Sequence, residues 1–331
     1  MKMFKLTTAV ALALSLAAPV LANDKPGEGK PAVRVVMPAQ IEEHFHHYIL
    51  LRALQELGYE TAEPAEAEYQ TMHIAIGGGD ADFTANHWHA LHAAFYEESG
   101  GAAVMTKVGT LIEGALQGYL VDKASYDSGI TDISMLKDPE VAKRFDTDGD
   151  GKADLVGCTP GWGCERVIEH HLTEYGLRDT ITHNQGAYQA IIGDAIARHE
   201  NGEPILYYTW TPYWVSGVLV PGKDVEWLSV PYTSLPEGNN DVNTTIDGKN
   251  VGFAVETVGV LARNDFLDAN PAAKKLFEVA KIPINDISAQ ALDITNGANT
   301  TEAIWASADK WIADNRATFD GWLAEARAAS E

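Results

Sequence analysis

Apolar positions along this chain switch repeatedly between two periods. Val33 to Met37 is apolar and alternating, as a first strand requires. Gln40 to Leu57 carries apolar residues at Ile41, Phe45, Tyr48, Ile49, Leu51, Leu54 and Leu57, a helical period that Gly58 ends. Strand-like and helix-like stretches then alternate through Tyr69–Ile76, Phe83–Ala85, a helix near His89–Glu98 and an apolar strand at Leu111–Val121. Ser134–Phe145 reads as helix, Thr159–Glu174 as loop then helix, Gln185–Asn201 as helix and Ile205–Thr209 as strand. Pro212 and Pro221 interrupt the next stretch, and Val251–Leu261 is another long apolar strand. Pro271 to Ala329 is mostly helical, with Trp305, Trp311 and Trp322 on one buried stripe. Strands alternating with helices at this spacing predict an α/β fold with mixed sheets.

The strands Leu111–Val121 and Val251–Leu261 are placed to cross between two lobes. Residues 32–116 and 258–331 would then form lobe one, and residues 117–257 lobe two. Two lobes joined this way close on a ligand by hinge motion.

The N-terminus bears on the compartment. Lys2 and Lys5 precede an apolar run from Leu6 to Leu21, and Val20 and Ala22 suit cleavage between Ala22 and Asn23. At about 16 residues with no charged stop, the run is short for a membrane span. Residues 1–22 are therefore expected to be a signal peptide for export to the periplasm. The formal charge is −23, and losing Lys2 and Lys5 makes it −25. So acidic a chain repels nucleic acid and anionic lipid. In an oxidising compartment its two cysteines, Cys158 and Cys164, are expected to pair.

Candidate chemistry gathers at three tryptophans. In Cys158-Thr-Pro-Gly-Trp-Gly-Cys164, two glycines and a proline make a tight turn with Trp162 at its tip. Two readings of Trp162 stand at this point, a fixed aromatic wall and a buried plug. A helix starting near Glu165 would place the Gly163 and Cys164 N–H groups at its N-terminus, where anions bind. In Tyr207-Tyr-Thr-Trp-Thr-Pro-Tyr-Trp214, Trp210 sits where a strand ends, the usual ligand crevice of open α/β sheets. In Phe83-Thr-Ala-Asn-His-Trp-His-Ala-Leu-His92, Trp88 follows a strand, and His92 falls four residues later on one helical face. A trimethylammonium group has no N–H to donate, so aromatic faces are what remain to hold it. Each contact is worth on the order of 0.5–2 kcal/mol. Anion donors at the other end would select zwitterions over choline.

Other chemistry is weaker. His44, His46 and His47 lie close in sequence, as do His87, His89 and His92, and zinc takes imidazole readily. Glu42 and Glu43 beside the first group read as a solvated helix end. Asp146, Asp148, Asp150 and Asp154 fall at positions 1, 3, 5 and 9 of a calcium-type loop, with Gly151 at position 6. Gly157 stands where the bidentate acid belongs, so a structural calcium ion and a run of Asx turns both fit. His183 and Asn184 could be drawn into a catalytic triad, yet an N-cap role for Asn184 is simpler. No hydrolase, zincin or phosphate-loop motif occurs, and no enzyme is expected.

Taken together, the segments 146–155, 158–165, 182–186 and 207–214 closely resemble the periplasmic glycine betaine/proline betaine receptors of osmoprotectant ABC importers. The likeness runs over essentially the whole chain beyond the signal segment. It implies a two-lobed, type II-like receptor with two crossings and supports the Cys158–Cys164 disulfide. It implies a box of Trp88, Trp162 and Trp210 around the ammonium, with His92 and the N–H groups of Gly163 and Cys164 on the carboxylate. His87 and His89 depart from the pattern, standing where smaller or less basic residues are expected. The implied ligand is a small betaine, with dimethylsulfoniopropionate or choline as alternatives. The implied partners are a membrane permease and its ATPase. A monomer needing no cofactor is expected.

Overall fold

The computed structural model describes residues 24–330. The expected signal segment, residues 1–22, lies outside the described residues. Among the described residues no helix is long and apolar enough to cross a membrane.

Chain order begins β1 (Val36–Pro38), α1 (Phe45–Glu56), β2 (Ala65–Ala67), α2 (Tyr69–Gly78), β3 (Phe83–Trp88) and α3 (Ala93–Glu98). The long strand β4 (Met105–Asp122) leads to β5 (Ala153–Val156), α4 (Gly163–Glu174), β6 (Ile181–Asn184), α5 (Tyr188–Glu200), β7 (Leu206–Thr211) and β8 (Val225–Trp227). After β9 (Glu256–Arg263), four main helices close the chain: α6 (Pro271–Val279), α7 (Ile284–Thr295), α8 (Thr301–Asp314) and α9 (Arg316–Ala328). The strands run β3–β9–β4–β7–β5–β6 across one mixed sheet, with β8 added to β4.

The organising element is β4. From Met105 to Ala115 it pairs antiparallel with β9, and from Leu116 to Val121 with β7. Its side chains explain the change. The first half mixes exposed and buried positions, whereas Gly118 to Asp122 is buried throughout. A strand covered on both faces wants a continuous apolar run, and Tyr119-Leu-Val supplies one.

Several expectations shift. Tyr69–Ile76 belongs to helix α2, and the helix expected near His89 starts only at Ala93. His92 therefore does not share a helical face with Trp88, because Trp88 still ends a strand. The expected helix at Ser134–Phe145 is three short turns, broken where Asp138 caps a new start at Pro139. The apolar stretch at Val251–Leu261 is strand only from Glu256, since Gly252 adopts a positive φ of 82°. Of the three C-terminal tryptophans Trp311 and Trp322 are buried. Trp305 is half-buried, stacked 4.1 Å from Tyr48 and covered by Arg52 at 4.3 Å. Asn184 caps no helix; it lies in β6 and donates to Asp154, while Ala187 stands at the start of α5.

Candidate functional site

The turn before α4 is closed by a Cys158–Cys164 disulfide with Cα atoms 6.1 Å apart. Gly161 takes a positive φ of 88° in it. Trp162 is the N-cap residue and α4 begins at Gly163, so the Gly163 and Cys164 amides belong to the first turn. First-turn amides have no carbonyl partner inside their own helix. A side chain at Gly163 is impossible without movement: its Cβ would meet the Leu91 carbonyl oxygen at 2.9 Å. Only glycine lets the α4 terminus approach the loop after β3.

Trp162 is buried, and its indole N–H donates to Glu68 at 2.9 Å. Of the two readings the turn left open, the indole satisfies both in part. It is inaccessible, yet it lines a cavity with Trp88 and Trp210. Tyr69, Tyr208, Glu43, Leu91, His92, Gln117, Gly163 and Cys164 complete the lining around about 290 Å³ of space. Trp162 and Trp210 meet edge to face at 5.7 Å, and Trp210 stacks on Tyr213 at 4.1 Å. Every residue expected at the ligand therefore faces one cavity.

Trp88 is held differently. Its indole N–H donates to the Asn86 side-chain oxygen at 3.2 Å. The Asn86 amide donates to Glu43 at 2.7 Å, and the Tyr69 hydroxyl donates to the same carboxyl oxygen at 2.8 Å. Burial pushes the Glu43 carboxyl up to about 8. Glu42 and Glu43 are both buried, which corrects the reading of a solvated helix end. The reading failed because adjacent acids resemble a polar helix face, and nothing local announces a buried Asn86 and Tyr69 as partners. Tyr69, Tyr208 and Gln117 went unnoticed for the same reason; Tyr69 reaches the cavity from the start of helix α2, and Tyr208 and Gln117 reach it from the paired strands β7 and β4.

His92 heads α3. Its Nδ1 accepts from the Trp88 amide at 3.3 Å, so the neutral ring carries its proton on Nε2. Burial holds the ring's pKa well below the usual histidine value, keeping it neutral. An Nε2–H at a cavity wall can donate to a carboxylate. The loop before it is pinned by Glu256, which accepts from the Ala90 and Leu91 amides at 3.0 and 2.7 Å. Burial raises that carboxyl to about 7.

The remaining candidates separate. Asp146, Asp148 and Asp154 bring carboxyl oxygens within 4.8 Å of one another, without Asp150. Asp146 accepts from the Gly149 and Gly151 amides, Asp150 from Lys152, and Asp154 from Thr147 and Asn184. His183 bridges Glu169 and the Cys158 amide, and so braces the disulfide turn. Of the first histidine group, His44 bonds the Pro38 carbonyl and His47 uses both nitrogens, while both nitrogens of buried His46 lack partners. Among the described residues, the histidines whose ring nitrogens converge are His73, His87 and His92; His73 was missed, and His89 adds no nitrogen to the group although its ring lies 5.5 Å from that of His87.

Residues 32–314 match the family model described as the substrate binding domain of ABC-type glycine betaine transport system. The chain is 46% identical over 312 residues to the glycine betaine-binding periplasmic protein OusX of Dickeya dadantii, covering 94% of each chain. It is 45% identical over 324 residues to the glycine betaine/proline betaine-binding periplasmic protein of Escherichia coli, covering 98% of each. Among solved structures, lactococcal OpuAC, closed on glycine betaine, superposes with a TM-score of 0.66 at 21% identity, covering 88% of this chain and 99% of that one. A choline binding protein in complex with choline gives a TM-score of 0.69 at 17% identity, covering 90% and 96%.

Proposed function

Because the chain belongs to the family of substrate-binding domains of ABC-type glycine betaine transport systems, we propose that its aromatic cavity captures glycine betaine or proline betaine for delivery to a membrane permease driven by an ATPase. The observation that carries this reading is the convergence of Trp88, Trp162 and Trp210 on one cavity that also receives His92, Gly163 and Cys164.

The chemistry divides the ligand into two ends. A quaternary ammonium offers only dispersed positive charge, which indole faces attract at about 0.5–2 kcal/mol each, more when water is excluded. Its carboxylate would take Nε2–H of His92 and the amides of Gly163 and Cys164, aided by the positive end of α4. Burial raises the carboxyl of Glu43 in the cavity lining to about 8, and a cation bound beside it would favour its ionised form.

Residues 32–116 and 258–331 form lobe one in this reading, and residues 117–257 form lobe two. Trp88 belongs to the first, Trp162 and Trp210 to the second, so capture requires closure. The bonds Trp162–Glu68 and Arg166–Glu98 cross between the lobes and would form as they close. The protein acts as an exported monomeric receptor in the periplasm and returns its ligand chemically unchanged.

A calorimetric panel tests the assignment. Glycine betaine and proline betaine should bind, and choline, lacking the carboxylate, should bind more weakly. Choline binding as tightly as glycine betaine would refute the anion site. Dimethylsulfoniopropionate, which keeps an onium and a carboxylate, should fall with the betaines.

A further inference from the structure

Behind Trp88 lies a group of three histidines, of which betaine capture uses only His92. His73 on α2, His87 on β3 and His92 at the head of α3 are all buried. One ring nitrogen from each lies within 4.8 Å of the other two. Hydrogen bonds fix which nitrogens are free. Nδ1 of His73 donates to the Tyr69 carbonyl at 2.7 Å, leaving Nε2 with its lone pair. That Nε2 accepts from Nδ1–H of His87 at 2.9 Å, a bond that a metal ion between the two nitrogens would replace once the His87 proton moves to Nε2. Nδ1 of His92 is taken by the Trp88 amide, so its free nitrogen is Nε2. The far nitrogen of His87, Nε2, is buried with no partner at all. All three rings are buried, and a metal takes an imidazole in its neutral form.

Converging neutral imidazoles with no carboxylate among them suit a borderline divalent ion such as zinc, and do not suit calcium or magnesium. Two nitrogens on a tetrahedral zinc, each about 2.0 Å from the metal, lie roughly 3.3 Å apart. The His73–His87 separation of 2.9 Å needs to open by only a few tenths of an ångström. The Tyr69 carbonyl on His73 is the kind of outer partner that orients a metal-bound imidazole.

We propose that His73, His87 and His92 form a site for a zinc-type divalent ion, and that filling it opposes betaine binding. The second part rests on the reading of His92 as a carboxylate donor in the aromatic cavity. That ring has one free nitrogen, which can donate a proton to a carboxylate or give its lone pair to a metal, but not both. Position reinforces the conflict. His92 lines the aromatic cavity and His73 and His87 do not, so an ion held on Nε2 of His92 sits against the space a betaine fills.

Zinc titrated into betaine-free receptor, followed by calorimetry, should show one saturable site per chain. Cobalt(II) at the same site should give the visible bands of an imidazole-bound ion. Saturating glycine betaine should weaken zinc binding about tenfold or more, the scale of losing a supporting interaction at a metal site. His73→Gln and His87→Gln should each weaken zinc to at least that extent and leave glycine betaine affinity in place, with thermal unfolding confirming that each variant is folded. Absence of saturable zinc binding, or equal zinc binding by the folded variants, overturns the site. Should neither variant fold, the cobalt spectrum of the unsubstituted chain decides, its absence counting against the site. Zinc binding indifferent to glycine betaine overturns the antagonism alone. Failure of glycine betaine to bind the metal-free protein overturns the reading of the aromatic cavity, and leaves the zinc result standing.

Discussion

On one side of the cavity Trp88 rests on a relay of polar groups, Asn86, Glu43 and Tyr69, with buried histidines behind. On the other, Trp162 and Trp210 rest on Tyr188, Tyr208 and Tyr213 and on a turn closed by a disulfide. The two walls present the same indole faces, yet one is aimed by a chain of hydrogen bonds through a buried carboxyl and the other by aromatic packing and a covalent link, with a single indole bond from Trp162 to Glu68. An aromatic ring can be fixed either way. The first way ties its position to the protonation of a buried carboxyl.

The largest expected effect is therefore a loss of stability in acid that centres on the first wall. Burial lowers His46 to about 3 and His73 to about 4, and holds His47, His87 and His92 well below 6.5. The unfolded chain takes up these protons from 6.5 downward while the folded chain refuses them, so stability falls as pH drops below 6.5. Each such ring costs about 1.4 kcal/mol per pH unit, or about 2 kcal/mol at pH 5. Glu43 and Glu256 act in the opposite sense. Folded, they keep protons up to about 8 and about 7, so falling pH favours the fold from there down to 4.5. Five rings outweigh two carboxyls, and melting temperature should decline between pH 6.5 and 5. His46→Leu, which removes two unpartnered buried nitrogens, should raise stability and flatten that decline. An unchanged slope in the variant would break the contrast between the walls.

Next comes the second wall's staple. Replacing Cys158 and Cys164 together with Ser should lower stability by roughly 2.4 kcal/mol, the chain-entropy value for a loop of about seven residues. Denaturant unfolding measures it. The pH dependence should stay as it was, because no titrating group is removed.

Trp162→Ala should weaken glycine betaine by roughly 1–3 kcal/mol in calorimetry, through loss of the cation–π contact. Unchanged affinity would remove this wall from the site. Smallest is Arg166→Ala. The exposed Arg166–Glu98 pair spans 3.2 Å, and losing it should cost at most about 1 kcal/mol of affinity, less at high salt.

How much of the molecule could be read from the chain obeys the same division. Trp88, Trp162 and Trp210 were legible because a tryptophan at a strand end or flanked by glycines is unusual wherever it falls. The disulfide was legible from two cysteines in a chain expected to be exported. The α/β alternation and β7 were legible because period-two patterns persist there. Glu43 and His73 were not, because their partners come from distant segments and burial reverses the usual meaning of a charged or basic side chain. The helix expected at Ser134–Phe145 failed on a local rule: Asp138 followed by Pro139 starts a new turn instead of extending the old one. The relation of Trp88 to His92 failed on a boundary, since β3 runs three residues past the expected Ala85 and delays α3.

One consequence of β4 concerns mechanics. Its ladder partner changes at Ala115 and Leu116, from β9 on one edge to β7 on the other. Gly114 sits immediately before the change with a positive φ of 76° and open space where a Cβ would project. Such a strand can act as a torsion bar, clamped at its two ends on opposite sides and free to twist at its middle. Rotation there would leave both ladders intact, so the stiffness of a few peptides, more than the area buried at the mouth, would set how easily the molecule opens.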